Sequence, residues 1–590
     1  MRKSPVAAAA VVLIFAHLAV RCVLAFGGYF YWDDLILVGR AGTQGLLAPS
    51  YLFDDHDGHV MPGAFLLAGA ITHLAPLVWT WPAISLVVLQ LIATLSLLRT
   101  LHIIVGWRPV LLIPLCFALF VPLGLPAFAW WAAALNALPM VAAMAWVCGD
   151  AILLARTGNR RYAVTAVLVY FVGLLFFEKA AVIPFVAFTV VALLCHVRGD
   201  RKALAEAWGR GARLWIPALG LTAVWIAVYL VVVDQKRWSW DLPMTWDLLS
   251  RSFTHGIVPG LAGGPWEWQR WAPASPWATP PTSVMVIGWL SLAAAVAISM
   301  TRKRRIGAVW FVALGYAVAG QIPIYLMRSS AFTALELAQT LRYLPDLVTV
   351  LALLAAVGFC APNRSGSAWL DRSPARAAVV VGAAAAFLAS SLFSTKTFLS
   401  TWQDNPVQPY VGNALESLAQ AHRKSDAALL DQEVDPLVLG RVAYPENLAS
   451  HLFALIPGRP EFGRYTTQLR MLDVAGRLVD ANVTWVRTIS PGPQPNCGYF
   501  VQPDAPVTMP LDGPLLPAEW TAEINYLANT DGTMLLSLTD GPETKVTVHP
   551  GLNRVYVRLS GAGDAVKVQA TTAALALCLA SGPVGYTAPR

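Results

Sequence analysis

Residues 6–37 read VAAAAVVLIFAHLAVRCVLAFGGYFYWDDLIL, an apolar run that ends in four aromatic residues and two adjacent carboxylates. At about 20 residues the run is long enough to cross a bilayer. No small-residue cleavage site closes it, so it reads as a retained first span rather than a removed signal peptide. Arg2 and Lys3 precede it, which places the N-terminus inside. Asp33 and Asp34 then emerge on the far side. A charge beside lipid is costly, and ionisable groups kept at that depth are functional candidates.

The apolar pattern repeats. Hydrophobic residues make up 57% of the sequence and charged residues 13%, a balance outside the range of ordinary soluble domains. Spanning-length segments fall at residues 6–26, 77–98, 109–127, 131–154, 163–177, 180–195, 214–233, 284–300, 306–327, 344–361 and 377–393, about eleven in all. The net charge of +8 does not point to nucleic acid, because the basic excess sits in short loops. These carry Arg99 and Arg108; Arg156, Arg160 and Arg161; Arg198, Arg201, Lys202, Arg210 and Arg213; the run from Arg302 to Arg305; and Arg364, Arg372 and Arg376. Every loop on the N-terminal side is therefore basic, as the positive-inside rule produces. An odd number of spans leaves the Asp pair, the loops at 27–76 and 234–282 and everything beyond 394 outside.

That C-terminal region divides in two. Residues 395–496 combine short apolar runs (Ala427 to Leu430) with a helix-like stretch at 413–422, which reads as a mixed α/β module. Residues 497–590 alternate with period two between turn signals at Asp531-Gly532 and Asp540-Gly541, the pattern of a β-sandwich or jelly roll. Cys497 and Cys578 bracket it; in an oxidising exterior they either close a disulfide or stay free. The expected fold is thus a polytopic α-helical membrane domain at 1–394, then the α/β module and the β-sandwich.

Several exterior residues carry candidate chemistry. Asp33 or Asp34 would act as a general base toward a hydroxyl, hold a divalent cation, or cap the helix that begins near Leu35. The segment FDDHDGHVMPG at 53–63 offers Asp55 and His56 as metal ligands together with Asp34, although its spacing matches no familiar metal motif and a hydrated loop explains it equally. The apolar stretch after it reads as an interfacial helix with Pro62 in its first turn. Glu178 and Lys179 lie between two spans with no room for a loop. They form an ion pair, or Lys179 meets an anion while Glu178 orients it. Arg328 and Arg342 stand at the same level and suit phosphate, or serve as snorkelling anchors. The tryptophans of the loop at 234–281, Trp238 and Trp240 included, read as an interface belt, with Trp266 and Trp268 as candidates for sugar contact or acceptor support.

A first span, an Asp pair and, 25 residues on, a His-x-x-Pro-Gly segment from His59 to Gly63 resemble the GT-C superfamily of integral-membrane glycosyltransferases. That superfamily includes protein O-mannosyltransferases, aminoarabinose transferases and actinobacterial arabinosyltransferases. The resemblance implies an extracytoplasmic active site, a polyprenyl-phosphate sugar donor, inversion at the anomeric carbon, and Asp33 or Asp34 as the acceptor's base. Other members carry a Lys/His-Pro-Pro-Leu type segment near the donor phosphate; here His59 takes that place and Gly63 stands for the second proline. Lys179, Arg328 and Arg342 are phosphate candidates by position, and the C-terminal module is placed like the carbohydrate-binding domains of some members. The Ala/Val/Arg-rich composition suits an actinobacterial branch, and by analogy arabinose or mannose moved to a cell-envelope glycan, glycolipid or protein. The partners implied are the lipid-linked sugar, that acceptor and the plasma-membrane bilayer, with a divalent cation (Mg, Mn or Ca) as the one optional cofactor. Two other classes compete. A transporter or flippase of lipid-linked saccharides predicts charges within spans and internal repeats; Arg21 is the clearest such charge and no repeat stands out. A non-catalytic glycan-binding assembly protein leaves the Asp pair without chemical work.

Overall fold

The computed structural model describes residues 4–234, 241–364, 374–424, 427–503 and 505–590; Arg2, Lys3, Trp238, Trp240, Arg372 and the side chain of Arg376 lie outside the described residues. Two compact units divide the chain, one comprising Met1–Leu37 and Gln44–Asn405, the other Val38–Thr43 and Pro406–Arg590. The chain is a polytopic membrane protein with a C-terminal β domain. Among the described residues of the first unit and its last helix, eight helices are long and apolar enough to cross a membrane. A bent pair, Pro109–Phe120 and Pro122–Ala129, makes a ninth, turning by 42° at Val121. The cause is local: Val121 precedes a proline and is driven to an extended ψ of 130°. Three shorter apolar helices, Pro62–Leu74, Arg161–Phe176 and Pro345–Cys360, accompany them.

Burial separates the helices by role. Trp131–Thr157 has 83% of its apolar window buried inside the protein and Thr282–Arg302 only 11%, so the former is the hub and the latter a lipid-facing helix. Small residues let neighbours approach the hub: a Cβ added at Gly149 would lie 2.5 Å from Thr100 Oγ1. The hub also carries Asp150, a buried carboxylate near the C-terminal end of its helix, at the level of the basic loop residue Arg99. It is fully engaged: Arg99 Nη2 lies 2.5 Å from Oδ1, while Thr165 Oγ1 at 2.6 Å and Trp146 Nε1 at 3.1 Å donate to Oδ2. A buried charge with all its partners in place is a packing element rather than a transport relay.

The basic loops interlock. Arg156 Nη1 donates to the Ile103 carbonyl at 2.6 Å, Arg213 Nη1 to Gly158 at 3.3 Å, Arg305 Nη1 to His196 at 3.3 Å and Lys303 Nζ to Ala361 at 2.8 Å. Several loops assigned to one side of the bilayer by charge are thus gathered at one end of the helices.

In the second unit, Val407–Lys424 is an amphipathic helix whose buried residues Val407, Tyr410, Val411, Ala414, Leu418 and Ala421 follow the helical period. Leu429–Leu430 pairs in parallel with Phe462–Gly463. The remaining strands form one continuous ten-stranded sheet rather than two separately bonded ones. Its backbone is the antiparallel pair Val507–Ala528 and Gly551–Ala570, whose register shifts at Gly561 and Gly563. Both glycines have positive φ, 122° and 128°, which permits the bulge there. Alternate residues, among them Trp520, Ala522, Ile524 and Tyr526, fill the core beneath.

Cys497 and Cys578 are joined, with Cα atoms 4.7 Å apart and a sequence separation of 81. Closing so long a loop restricts the unfolded chain by about 4 kcal/mol. Replacing both cysteines by serine is therefore expected to lower the unit's stability by about that amount, read by denaturant unfolding of the full-length protein. A change below about 1 kcal/mol would mean that the bridge constrains nothing the unfolded state samples.

Candidate active site

The aromatic run before the Asp pair is packed. Phe30 meets Trp79 and Trp131 edge-on, with ring centroids 5.1 and 6.2 Å away. Tyr31 packs edge-on against Trp130 and Trp402, and its hydroxyl donates to the Pro273 carbonyl at 2.8 Å. Trp32 follows with φ of 42°, a left-handed conformation that costs a bulky residue on the order of 1 kcal/mol. That turn sends the chain into the helix Asp33–Thr43, in which neighbouring side chains stand about 100° apart, so the two carboxylates point in different directions.

Asp34 is fully buried. Its Oδ2 accepts the Tyr31 N–H at 2.9 Å, reaching back as an acidic residue does in a capping box, and its Oδ1 accepts the Ala132 N–H at 2.7 Å. Ala132 lies in the first turn of Trp131–Thr157, where backbone N–H groups lack intrahelical partners. The capping alternative thus describes Asp34, and the helix it caps includes the hub, a contact no local pattern could reveal. Burial pushes its pKa well up, and the Ala132 and Tyr31 N–H groups oppose that. Asp34→Asn would set an amide NH2 against a backbone donor and is expected to cost about 1–3 kcal/mol, measured as a lower thermal midpoint in detergent. Wild-type stability in that variant would remove the capping role.

Asp33 faces the other way, into a cavity of about 950 Å3 that it lines with His59, Glu178, Lys179, Arg328 and Arg342. Much of the remaining wall is apolar, with Met140, Val186, Val190, Val312 and Leu354 among its residues. Burial pushes the Asp33 carboxyl up to about 6, with Arg342 the main opposing influence, Asp57 adding to the rise and His59 and Arg328 reducing it. Asp33 accepts no hydrogen bond from a described side chain or N–H.

The cations differ in what holds them. Glu178 and Lys179 do not pair with each other, because the 3-10 turn Glu178–Val182 sends successive side chains about 120° apart. Glu178 Oε1 meets His59 Nδ1 at 2.8 Å. Burial alone would lower the His59 pKa, but Glu178 outweighs it and the pKa is raised. Lys179 Nζ lies 2.9 Å from Asp346 and 3.2 Å from the Tyr343 carbonyl, and Tyr316 donates to the same carboxylate at 2.6 Å. Arg328 lies 3.6 Å from Asp57. Arg342 makes no ion pair with any described residue; it stacks over the rings of Trp130 and Tyr343, each 4.9 Å from the ring centre. Asp346, Tyr343 and Trp130 were not singled out in the sequence, since an Asp at a helix start and aromatics near span ends look ordinary until the fold brings them to one wall.

The other expected site residues take framework contacts. Asp55 braces a turn by accepting the N–H groups of Gly58 at 2.7 Å and Asp234 at 3.1 Å. His56 lines the cavity, exchanges backbone bonds with His59 and packs edge-on to Phe65. Among the described residues no group of three or more His, Cys, Asp or Glu is placed to hold a metal ion, so the Asp34, Asp55 and His56 set does not form. Trp266 and Trp268 are away from the cavity walls: their indole N–H groups donate to Ser390 Oγ at 2.7 Å and to the Ser394 carbonyl at 3.1 Å, which pins the loop to Pro374–Gln403.

No protein-family model and no curated protein matches the sequence. Solved structures similar to it include ArnT from Cupriavidus metallidurans bound to undecaprenyl phosphate, at 12% identity over 77% of this chain and 89% of that one, with a TM-score of 0.41. An oligosaccharyltransferase from Archaeoglobus fulgidus matches at 13% identity over 70% of this chain and 55% of that one, with a TM-score of 0.34. The arabinofuranosyltransferase AftD from Mycobacteria matches at 13% identity over 97% of this chain and 58% of that one, with a TM-score of 0.36. The chain therefore spans little more than half the length of the last two. All three are membrane glycosyltransferases of the GT-C superfamily, the one that Asp33, Asp34 and the segment from His59 to Gly63 resemble.

Proposed function

We propose that the protein transfers a sugar, arabinose or mannose, from a polyprenyl-phosphate donor to a hydroxyl of a cell-envelope acceptor on the extracytoplasmic face, with Asp33 as general base. One observation carries this reading: a single cavity joins a carboxylate raised to about 6, a set of cations and a long apolar wall. An amphiphile with an anionic head fits that combination, and its head would lie beside the one group suited to take a proton. Asp34, tied to two N–H groups, has a framework role instead.

In this mechanism the acceptor oxygen forms a bond to the anomeric carbon as the bond from that carbon to the phosphate oxygen breaks. The acceptor's proton passes to Asp33, and the bonding pair leaves with the phosphate. Arg342, protonated His59, Arg328 and Lys179 would stabilise the charge that develops there. Three of these cations hold carboxylate partners, so the incoming phosphate competes with Asp346, Asp57 and Glu178, while Arg342 pairs with no carboxylate among the described residues. On this reading the basic loops lie inside and the cavity's charged end faces outside.

The test uses purified full-length protein in lipid with radiolabelled polyprenyl-phosphate arabinose or mannose and cell-wall acceptor. Transfer that depends on Asp33 supports the reading. Absence of transfer together with movement of the lipid-linked sugar between leaflets would favour a transporter.

A further inference from the structure

Five polar atoms in the side chains that line the cavity are closed off and have no hydrogen-bond partner among the described residues: Trp130 Nε1, Asn136 Oδ1, Glu178 Oε2, Arg342 Nε and Tyr343 Oη. An isolated buried polar atom costs about 1–3 kcal/mol, so their concentration around one cavity marks a place prepared for a polar ligand. The set is mixed. Arg342 Nε and Trp130 Nε1 only donate and suit phosphate oxygens, whereas Asn136 Oδ1 and Glu178 Oε2 accept, and an acceptor oxygen repels a phosphate.

We propose that Asn136 and Glu178 are the residues that read the hydroxyl groups of the donor's sugar, a role that rests on the glycosyl-transfer reading of this cavity. Asn136 lies one helical turn beyond Ala132 on Trp131–Thr157, the helix whose N-terminus Asp34 caps, so the framework that orients the Asp pair also fixes this amide. Glu178 is fixed at its other oxygen by His59, which leaves Oε2 as its unused acceptor. The terminal torsions of Asn and Glu are broad, and a small turn presents each oxygen to a ligand. Both residues then take donors that a sugar has and a bare lipid phosphate lacks. The chemistry selects a donor with free ring hydroxyls and discriminates against its deoxy analogues.

The test compares dissociation constants of the full-length protein for two probes, bare polyprenyl phosphate and whichever of polyprenyl-phosphate arabinose and mannose the wild type transfers. Asn136→Leu is expected to weaken binding of the sugar-bearing lipid by about tenfold to a hundredfold and to leave bare polyprenyl phosphate within about twofold. Asn136→Asp, which keeps an acceptor in place, retains most of the discrimination. Glu178→Gln also removes the carboxylate that raises the His59 pKa, so it weakens both lipids, the sugar-bearing lipid by about tenfold more than the bare phosphate. Equal weakening of both lipids in these variants overturns the proposal and leaves the transferase reading standing. A wild type that binds neither lipid overturns both.

Discussion

Asp33→Asn is expected to reduce transfer by on the order of a hundredfold or more while the protein folds and extracts like wild type. The substitution keeps the shape of the side chain and removes only its capacity to accept a proton. Because Asp33 receives no hydrogen bond from a described side chain or N–H, nothing in the framework depends on its charge, in contrast to Asp34. The two variants therefore separate by assay: one loses rate at unchanged stability, the other loses stability first. The pH profile supplies an independent check. A base works only when ionised, and burial holds this carboxyl up at about 6, so kcat/KM falls as pH drops through about 6, tenfold per unit below it. The His59 pKa is raised by Glu178, so its positive charge is present at low pH and lost as pH rises through that raised value; the profile is a bell between the two groups. In Asp33→Asn the residual rate shows no acid limb. An acid limb that survives the substitution would assign the proton transfer to another group.

Much of the fold was legible because it depends on composition. Apolar length and loop charge located the helices, and period-two alternation located the strands from 507 onward. The site was legible as a set of residues and obscure as an arrangement. Asp33, Glu178, Lys179, Arg328 and Arg342 stood out as charges at span ends and His59 by its place in the His-x-x-Pro-Gly segment, and they do line one cavity. Their pairing followed from geometry the sequence does not display: a 3-10 turn parts Glu178 from Lys179, and the helix that opens at Asp33 turns Asp34 toward Tyr31 and Ala132. Asp346 stayed hidden because an acidic residue in a helix's first turn usually serves that helix, whereas here it holds Lys179. Trp266 and Trp268 misled for the opposite reason, since an indole suited to a sugar is equally suited to two serines on a neighbouring helix.

Arg342→Gln is expected to lower kcat/KM by about a hundredfold to a thousandfold, the largest effect among the cations, although four cationic groups line the same cavity. Lys179 and Arg328 are held by Asp346 and Asp57, and His59 by Glu178, so each is partly neutralised before a phosphate arrives. Among the described residues Arg342 pairs with no carboxylate; it lies over the rings of Trp130 and Tyr343 and its Nε has no partner, so its charge is available to the leaving group. The same charge is the main influence that opposes the rise of the Asp33 pKa. Removing it therefore has a second consequence of fixed sign: the carboxyl becomes harder to ionise, and the acid limb moves from about 6 to higher pH. A donor phosphate bound at Arg342 acts in the same direction by offsetting that charge, so in the wild type the limb in kcat lies above the limb in kcat/KM. Arg342→Lys restores the charge and with it the position of the limb, but recovers only part of the rate, because an ammonium lacks the planar fork that matches phosphate. If Arg342→Gln leaves both the donor KM and the acid limb where they were, the phosphate is held by Lys179 and Arg328 instead, and the exchange of carboxylate partners becomes the central event in donor binding.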